Sequence, residues 1–133
     1  MPTTTTKNVI KTMNQIPLAR LTDKNVSGFF KETEKPFLIL FESRHDPNAA
    51  KMIDAFTAAT DRFPGRIHAA VCVVEETSNL SERFGVFGVP TIVAGHMDKV
   101  LYKSLGIRNE EELFYLIRQV LQTTSAQRKG MCA

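Results

Sequence analysis

At 133 residues, with 43% apolar and 23% charged side chains, the chain has the make-up of a single globular domain with a sizeable core. The net charge is +3, and Lys and Arg are scattered apart from Arg128 and Lys129, which excludes the dense basic stripe of a nucleic-acid-binding surface. No apolar run nears the ~20 residues of a membrane span, and two cysteines 60 positions apart, Cys72 and Cys132, form neither a zinc pair nor a Cys-x-x-Cys redox pair.

The first fifteen residues, MPTTTTKNVIKTMNQ, are polar and read as a flexible tail. They carry no apolar signal core, which points to the cytoplasm. The domain is expected over 16–122. IPLARL (16–21) reads as a short strand. In TDKNVSGFFKETEK, Thr22 or Asp23 can cap a helix bearing Val26, Phe29 and Phe30 on one side, although Gly28 weakens it. PFLILF (36–41) is a continuous apolar run, the pattern of a strand covered on both faces.

FESRHDPNAAKM (41–52) follows, a polar corner of the kind that often carries chemistry. Asp46 is suited to cap a helix and Pro47 to its first position, where a missing N–H costs nothing. Ala49, Met52, Ile53, Phe56, Ala59 and Phe63 then recur on one helical face until FPGR (63–66) stops it. His45 beside Asp46 invites an acid–base reading. Adjacent side chains diverge, however, and Ser43 is the one nearby nucleophile, so the corner reads as architecture.

IHAAVCVV (67–74) is a second apolar strand, and strand–helix–strand implies a right-handed parallel crossover. Cys72 within it reads as a small buried hydrophobe. TSNLSERFG (77–85) can form a short helix capped by Thr77 or Ser78. TIVAG and KVLYKSL flank GHMD as an antiparallel hairpin, with His96 at its tip. Asn109 and Glu112 make a capping box for a last helix with a stripe of Leu113, Leu116, Ile117, Val120 and Leu121. Residues 123–133 read as a second flexible tail, with Cys132 an exposed thiol of ordinary pKa, ~8.5. His45, His68 and His96 are too scattered for a zinc site, and neither a metal nor a cofactor is expected.

This order of elements, with KPFLILF, AKMIDAF, RFGVFGVPTI and the spacing from Pro90 to Gly106, resembles thioredoxin from about Ile16 to Leu121. The resemblance implies a central mixed sheet flanked by helices and a cis Val89–Pro90 peptide. It also implies a main-chain edge at Val89, Pro90 and Thr91 that holds an extended polypeptide by strand addition. Phe87, His45 and Asp46 would border that edge. The family's two active-site cysteines fall on the stretch His45, Asp46, Pro47, Asn48, Ala49, Ala50, where no register supplies a sulfur. Its buried acid maps onto Leu40 and its tryptophan onto Glu42. Dithiol exchange needs an attacking thiolate and a resolving cysteine. The resemblance is therefore to a redox-inactive member, one that binds a protein or peptide partner as a chaperone or adaptor.

RFGVF followed by a proline is further similar to the thioredoxin-like accessory proteins of nickel–iron hydrogenase maturation. Those are chaperones of the hydrogenase small subunit and its twin-arginine signal, which would call for an acidic surface, with Glu75, Glu76 and Glu110 to Glu112 the candidates. DPNAAKMIDAF is similar, more weakly, to the thioredoxin-fold subunit of the spliceosome. A thiol-dependent redox protein using Cys132 alone, and a homodimeric structural module, are the competing readings.

Overall fold

The computed structural model describes residues 18–31, 34–97 and 99–132, with 126–132 as backbone alone. Among the described residues five strands form one sheet in the order β1-β3-β2-β4-β5. They are β1 (Ala19–Leu21), β2 (Phe37–Glu42), β3 (His68–Val73), β4 (Thr91–His96) and β5 (Lys99–Leu105). Strands β1 and β2 each run parallel to β3, while β4 runs antiparallel to both β2 and β5. Among the described residues four helices accompany them: α1 (Val26–Lys31), α2 (Ala49–Asp61), α3 (Ser78–Arg83) and α4 (Glu110–Cys132), with a 3-10 turn at Val74–Glu76.

The sheet separates two cores, because alternate side chains of a strand leave on opposite faces. Leu38, Leu40, Val71, Val73, Ile92 and Ala94 pack against the stripes of α2 and α4. Phe37, Ile39, Phe41, Ala70, Cys72 and Val93 meet Phe29 of α1 and Leu80 and Phe84 of the α3 region. Every residue of β2 is buried, which is why its sequence is an unbroken apolar run up to Glu42. The six residues expected on the inner face of α2 are all buried, as are the five of α4.

Local signals place the helix ends. The capping box of α4 is complete: the Asn109 N–H donates to Glu112 Oε1 (3.2 Å) and the Glu112 N–H to Asn109 Oδ1 (2.8 Å). Helix α3 stops at Gly85, whose φ of +66° allows the Val86 N–H to reach Ser81 O (2.8 Å) and its own N–H to reach Glu82 O (3.1 Å). The Val89–Pro90 peptide is cis.

Three expectations need correction. Asn25, not Thr22 or Asp23, precedes α1, and its Oδ1 accepts the Thr22 N–H at 2.8 Å. Asp23 instead reaches across to α3, accepting the N–H groups of Leu80 (3.2 Å) and Asn79 (3.4 Å). The hydroxyl of Thr77, expected to cap α3, donates back to Val73 O (3.0 Å). A cap supplied from a distant loop leaves no mark in local sequence. Helix α4 also runs past the expected boundary at 122, with Thr124 buried and its hydroxyl bonded to Val120 O (3.1 Å). The tail assigned to residues 1–15 lies outside the described residues, as do Ile16 and Pro17.

Strand β5 is an edge strand, largely exposed along its length. It approaches β4 so closely at the hairpin that a Cβ on Gly95 would stand 2.0 Å from Lys99 O and 2.6 Å from Phe37 Cζ. Gly95→Ala is accordingly expected to destabilise the protein by about 1–3 kcal/mol or more, since backbone must shift to admit the methyl group. Urea denaturation checks this, and a midpoint equal to that of the unsubstituted protein would contradict it.

Candidate functional site at the start of helix α2

The turn between β2 and α2 is built from short-range bonds. The Asp46 N–H donates to Ser43 O (3.2 Å), the Ala49 N–H to Asp46 O (3.1 Å), and the Asn48 N–H to Asp46 Oδ1 (2.9 Å). The expected helix start needs correction: Asn48 rather than Asp46 is the cap position, with no side-chain cap bond, and Pro47 lies in the turn before regular helix begins at Ala49, while Asp46 accepts the Asn48 N–H within that turn. Ser43 Oγ accepts the His45 N–H (3.1 Å) and donates to Glu75 (2.9 Å), which also accepts the Arg44 N–H (2.7 Å). Arg44 and Arg20 both pair with Glu76. The turn after β3 therefore clamps the corner. Its two glutamates are occupied in doing so.

Among the expected site residues, His45, Pro47 and Asn48 are exposed, Asp46 and Ala50 half-buried, and Ala49 buried. The Thr91–Phe41 pairing in the antiparallel ladder brings Pro90 level with Glu42 at the end of β2. The expected main-chain edge and the corner thus share one end of the sheet. Pro90 O accepts the Gly106 N–H (2.9 Å), and the Thr91 hydroxyl donates to Gly88 O (2.7 Å). Those bonds fix the loop on either side of Val89. Among the described residues Val89 itself makes no backbone hydrogen bond. Phe87 beside it is 94% exposed, and Leu105 (64%) and Ile107 (62%) flank Gly106.

The residue that sequence reasoning missed is Glu42. Its side chain lies on the same sheet face as Leu38 and Leu40, one two-residue step beyond Leu40, roughly 6.6 Å along the strand. An acid is therefore still present near the corner, two positions on from where it was taken to have been replaced by a hydrocarbon. Glu42 is wholly buried, Oε1 accepts the Ser43 N–H (3.0 Å), and Oε2 has no donor within reach. Burial pushes the carboxyl up to about 8. That rise includes smaller upward contributions from a hydrogen bond to Asp46 and from the charges of Asp46 and Glu75, against a downward one from the Ser43 N–H. The neutral, protonated carboxyl is the form that this burial favours. The period of two along FLILFE was the available signal: it places this acid on an inward face.

No cysteine lies between His45 and Ala50. Cys72 is fully buried in β3, and burial, with the nearby Asp23 charge, pushes its thiol above the usual range. Cys132 ends α4, with only its backbone described. His68 stacks on Phe29 at 3.8 Å, and His96 bonds to Glu34 O (2.6 Å) as the last residue of β4. Among the described residues no cluster of His, Cys, Asp and Glu is arranged to hold a metal ion. None of the described helices is long and apolar enough to cross a membrane.

No protein-family model matches the sequence, and no curated protein matches it. Solved structures do match the fold. The crystal structure of chloroplastic thioredoxin z, described as defining a novel type-specific target recognition, superposes with a TM-score of 0.67. The two are 15% identical, over 77% of this chain and 93% of the other. That likeness establishes a thioredoxin fold.

Glu42 also makes stability depend on pH with a definite sign. Its pKa is raised on folding, from 4.5 to about 8. Between these values the unfolded chain releases a proton that the folded chain keeps, so its stabilisation is full below pH 4.5 and is lost as pH rises through about 8. Glu42→Gln is expected to flatten the decline in urea-unfolding free energy from pH 5 to 9 and to be the more stable form at pH 9. Parallel curves for the two proteins would contradict this.

Proposed function

We propose that this thioredoxin fold binds an extended polypeptide along Val89–Thr91 and acts as a chaperone or adaptor with no thiol exchange at the site. The observation that carries the reading is the unpaired backbone of Val89, held between two pinned neighbours and bordered by exposed Phe87, Leu105 and Ile107. A chain laid alongside Val89 can pair with its N–H and C=O by strand addition. Side chains alternating from that chain would cover Phe87, whose full burial contributes roughly 1.5–3 kcal/mol. His45 and Asp46, at the same end of the sheet, would border the occupant. The role requires no cofactor.

Dithiol catalysis has no chemical footing here, because His45 to Ala50 contains no sulfur and Cys72 is sealed in the core. The narrower reading, a chaperone of a hydrogenase small subunit and its twin-arginine signal, rests on the RFGVF segment. It gains little from the acidic surface. Glu76 is paired with Arg20 and Arg44, Glu110 and Glu111 with Arg62, and Glu112 with Arg108. An apolar, extended partner suits the edge better than an arginine-rich one.

The purified protein is expected to reduce insulin disulfides no faster than background, with Cys132→Ser indistinguishable from it. Activity that vanishes in that variant would instead favour a single-cysteine redox protein. Val89→Arg is expected to reduce partner capture from native lysate at least tenfold, with the melting temperature unchanged. Undiminished capture would place recognition elsewhere.

A further inference from the structure

Far from the corner, a groove of about 540 Å³ lies between the loop that follows α2 and the outer side of α4. Phe63, Phe114 and Leu121 line it with apolar surface, and Arg66, Arg118 and Ser125 share the lining. The two phenyl rings stack, centroids 5.2 Å apart and planes 28° apart, so the apolar wall is preformed. Its volume is within the usual range for small-molecule sites, roughly 300–1,000 Å³.

The charge pattern is what singles out this groove. Arg20, Arg44, Arg62 and Arg108 each pair with a glutamate of the same chain. Arg62, next to the groove, lies 3.8 Å over the Phe114 ring and is neutralised by Glu110 and Glu111. Arg83 lies over the rings of Phe30 and Phe84. Arg66 and Arg118, like Arg83, have no carboxylate partner among the described residues, but these two line the same apolar wall, with Arg66 6.0 Å over the Phe63 ring. A guanidinium presents a planar fork of donors that matches a carboxylate.

We infer that this groove is a binding site for a small amphiphilic carboxylate, its acyl or aryl body on Phe63, Phe114 and Leu121 and its head group between Arg66 and Arg118. The site is independent of the polypeptide edge. Phe87 and Val89 belong to the opposite end of the β4 strand direction, beside Glu42, whereas the groove begins where α2 ends.

Decanoate, with decanol as its uncharged counterpart, tests the inference on the full chain by calorimetric titration and amide NMR shifts. Decanoate is expected to bind at least tenfold more tightly than decanol and to shift amides around Phe63, Phe114 and Leu121. In the Arg66→Gln/Arg118→Gln double variant the preference should fall below twofold with the melting temperature unchanged, because both side chains are exposed. The Arg66→Lys/Arg118→Lys variant should retain part of it. Equal affinities for acid and alcohol would overturn the inference, as would shifts centred on Phe87 and Leu105. So would sedimentation with phosphatidylglycerol vesicles through the same arginines without any binding of decanoate.

Discussion

Everything at the candidate site follows from one constraint: the central strand β2 is dry on both faces along its whole length. A strand so placed can carry only hydrocarbon at no cost, and the chain obeys this from Phe37 to Phe41. It then breaks the rule once, at Glu42, in the last position before the turn. A fully buried carboxylate is expensive unless paired or protonated. The surroundings offer Glu42 one N–H and two acidic neighbours, so protonation is the affordable state. In the corner that follows, Asp46 accepts the Asn48 N–H in the turn before the helix, and its hydrogen bond and charge help hold the buried acid's pKa up.

The same constraint separates two features that lie side by side. Glu42 is fully buried at the end of β2, whereas Val89 is half-buried with no backbone hydrogen bond among the described residues, and Phe87 is exposed. A proton held in the dry layer does nothing to a disulfide without a thiolate to receive or release it. With no sulfur between His45 and Ala50, the groups exposed at this end of the sheet are hydrogen-bonding and apolar ones.

Most of the fold was legible because its signals are local. The inner stripe of α2, the Asn109–Glu112 box and the alternation in β4 and β5 each declare themselves within a dozen residues, and the order of elements then fixes the sheet. What escaped depends on contacts between distant parts of the chain. Asp23 caps a helix more than fifty residues away, and no window around either segment contains that bond. Residues 123–125 carry two threonines in a polar run and looked unstructured, yet the hydroxyl of Thr124 folds back onto Val120 and Leu121 and the side chain is buried. At the site, the lack of sulfur between His45 and Ala50 could be read from sequence. Glu42 was matched to an aligned position rather than to the face its strand period assigns it, and so its burial was missed.

The central claim is that an open main chain at Val89, with no sulfur beside it, receives a polypeptide. The most direct measurement is amide NMR of the labelled protein during titration with an unfolded, cysteine-free polypeptide, from which disulfide chemistry is excluded by composition. The account predicts saturable shifts concentrated at Phe87, Val89, Thr91 and Gly106. Shifts confined to other surfaces, or none at saturating polypeptide, would contradict it.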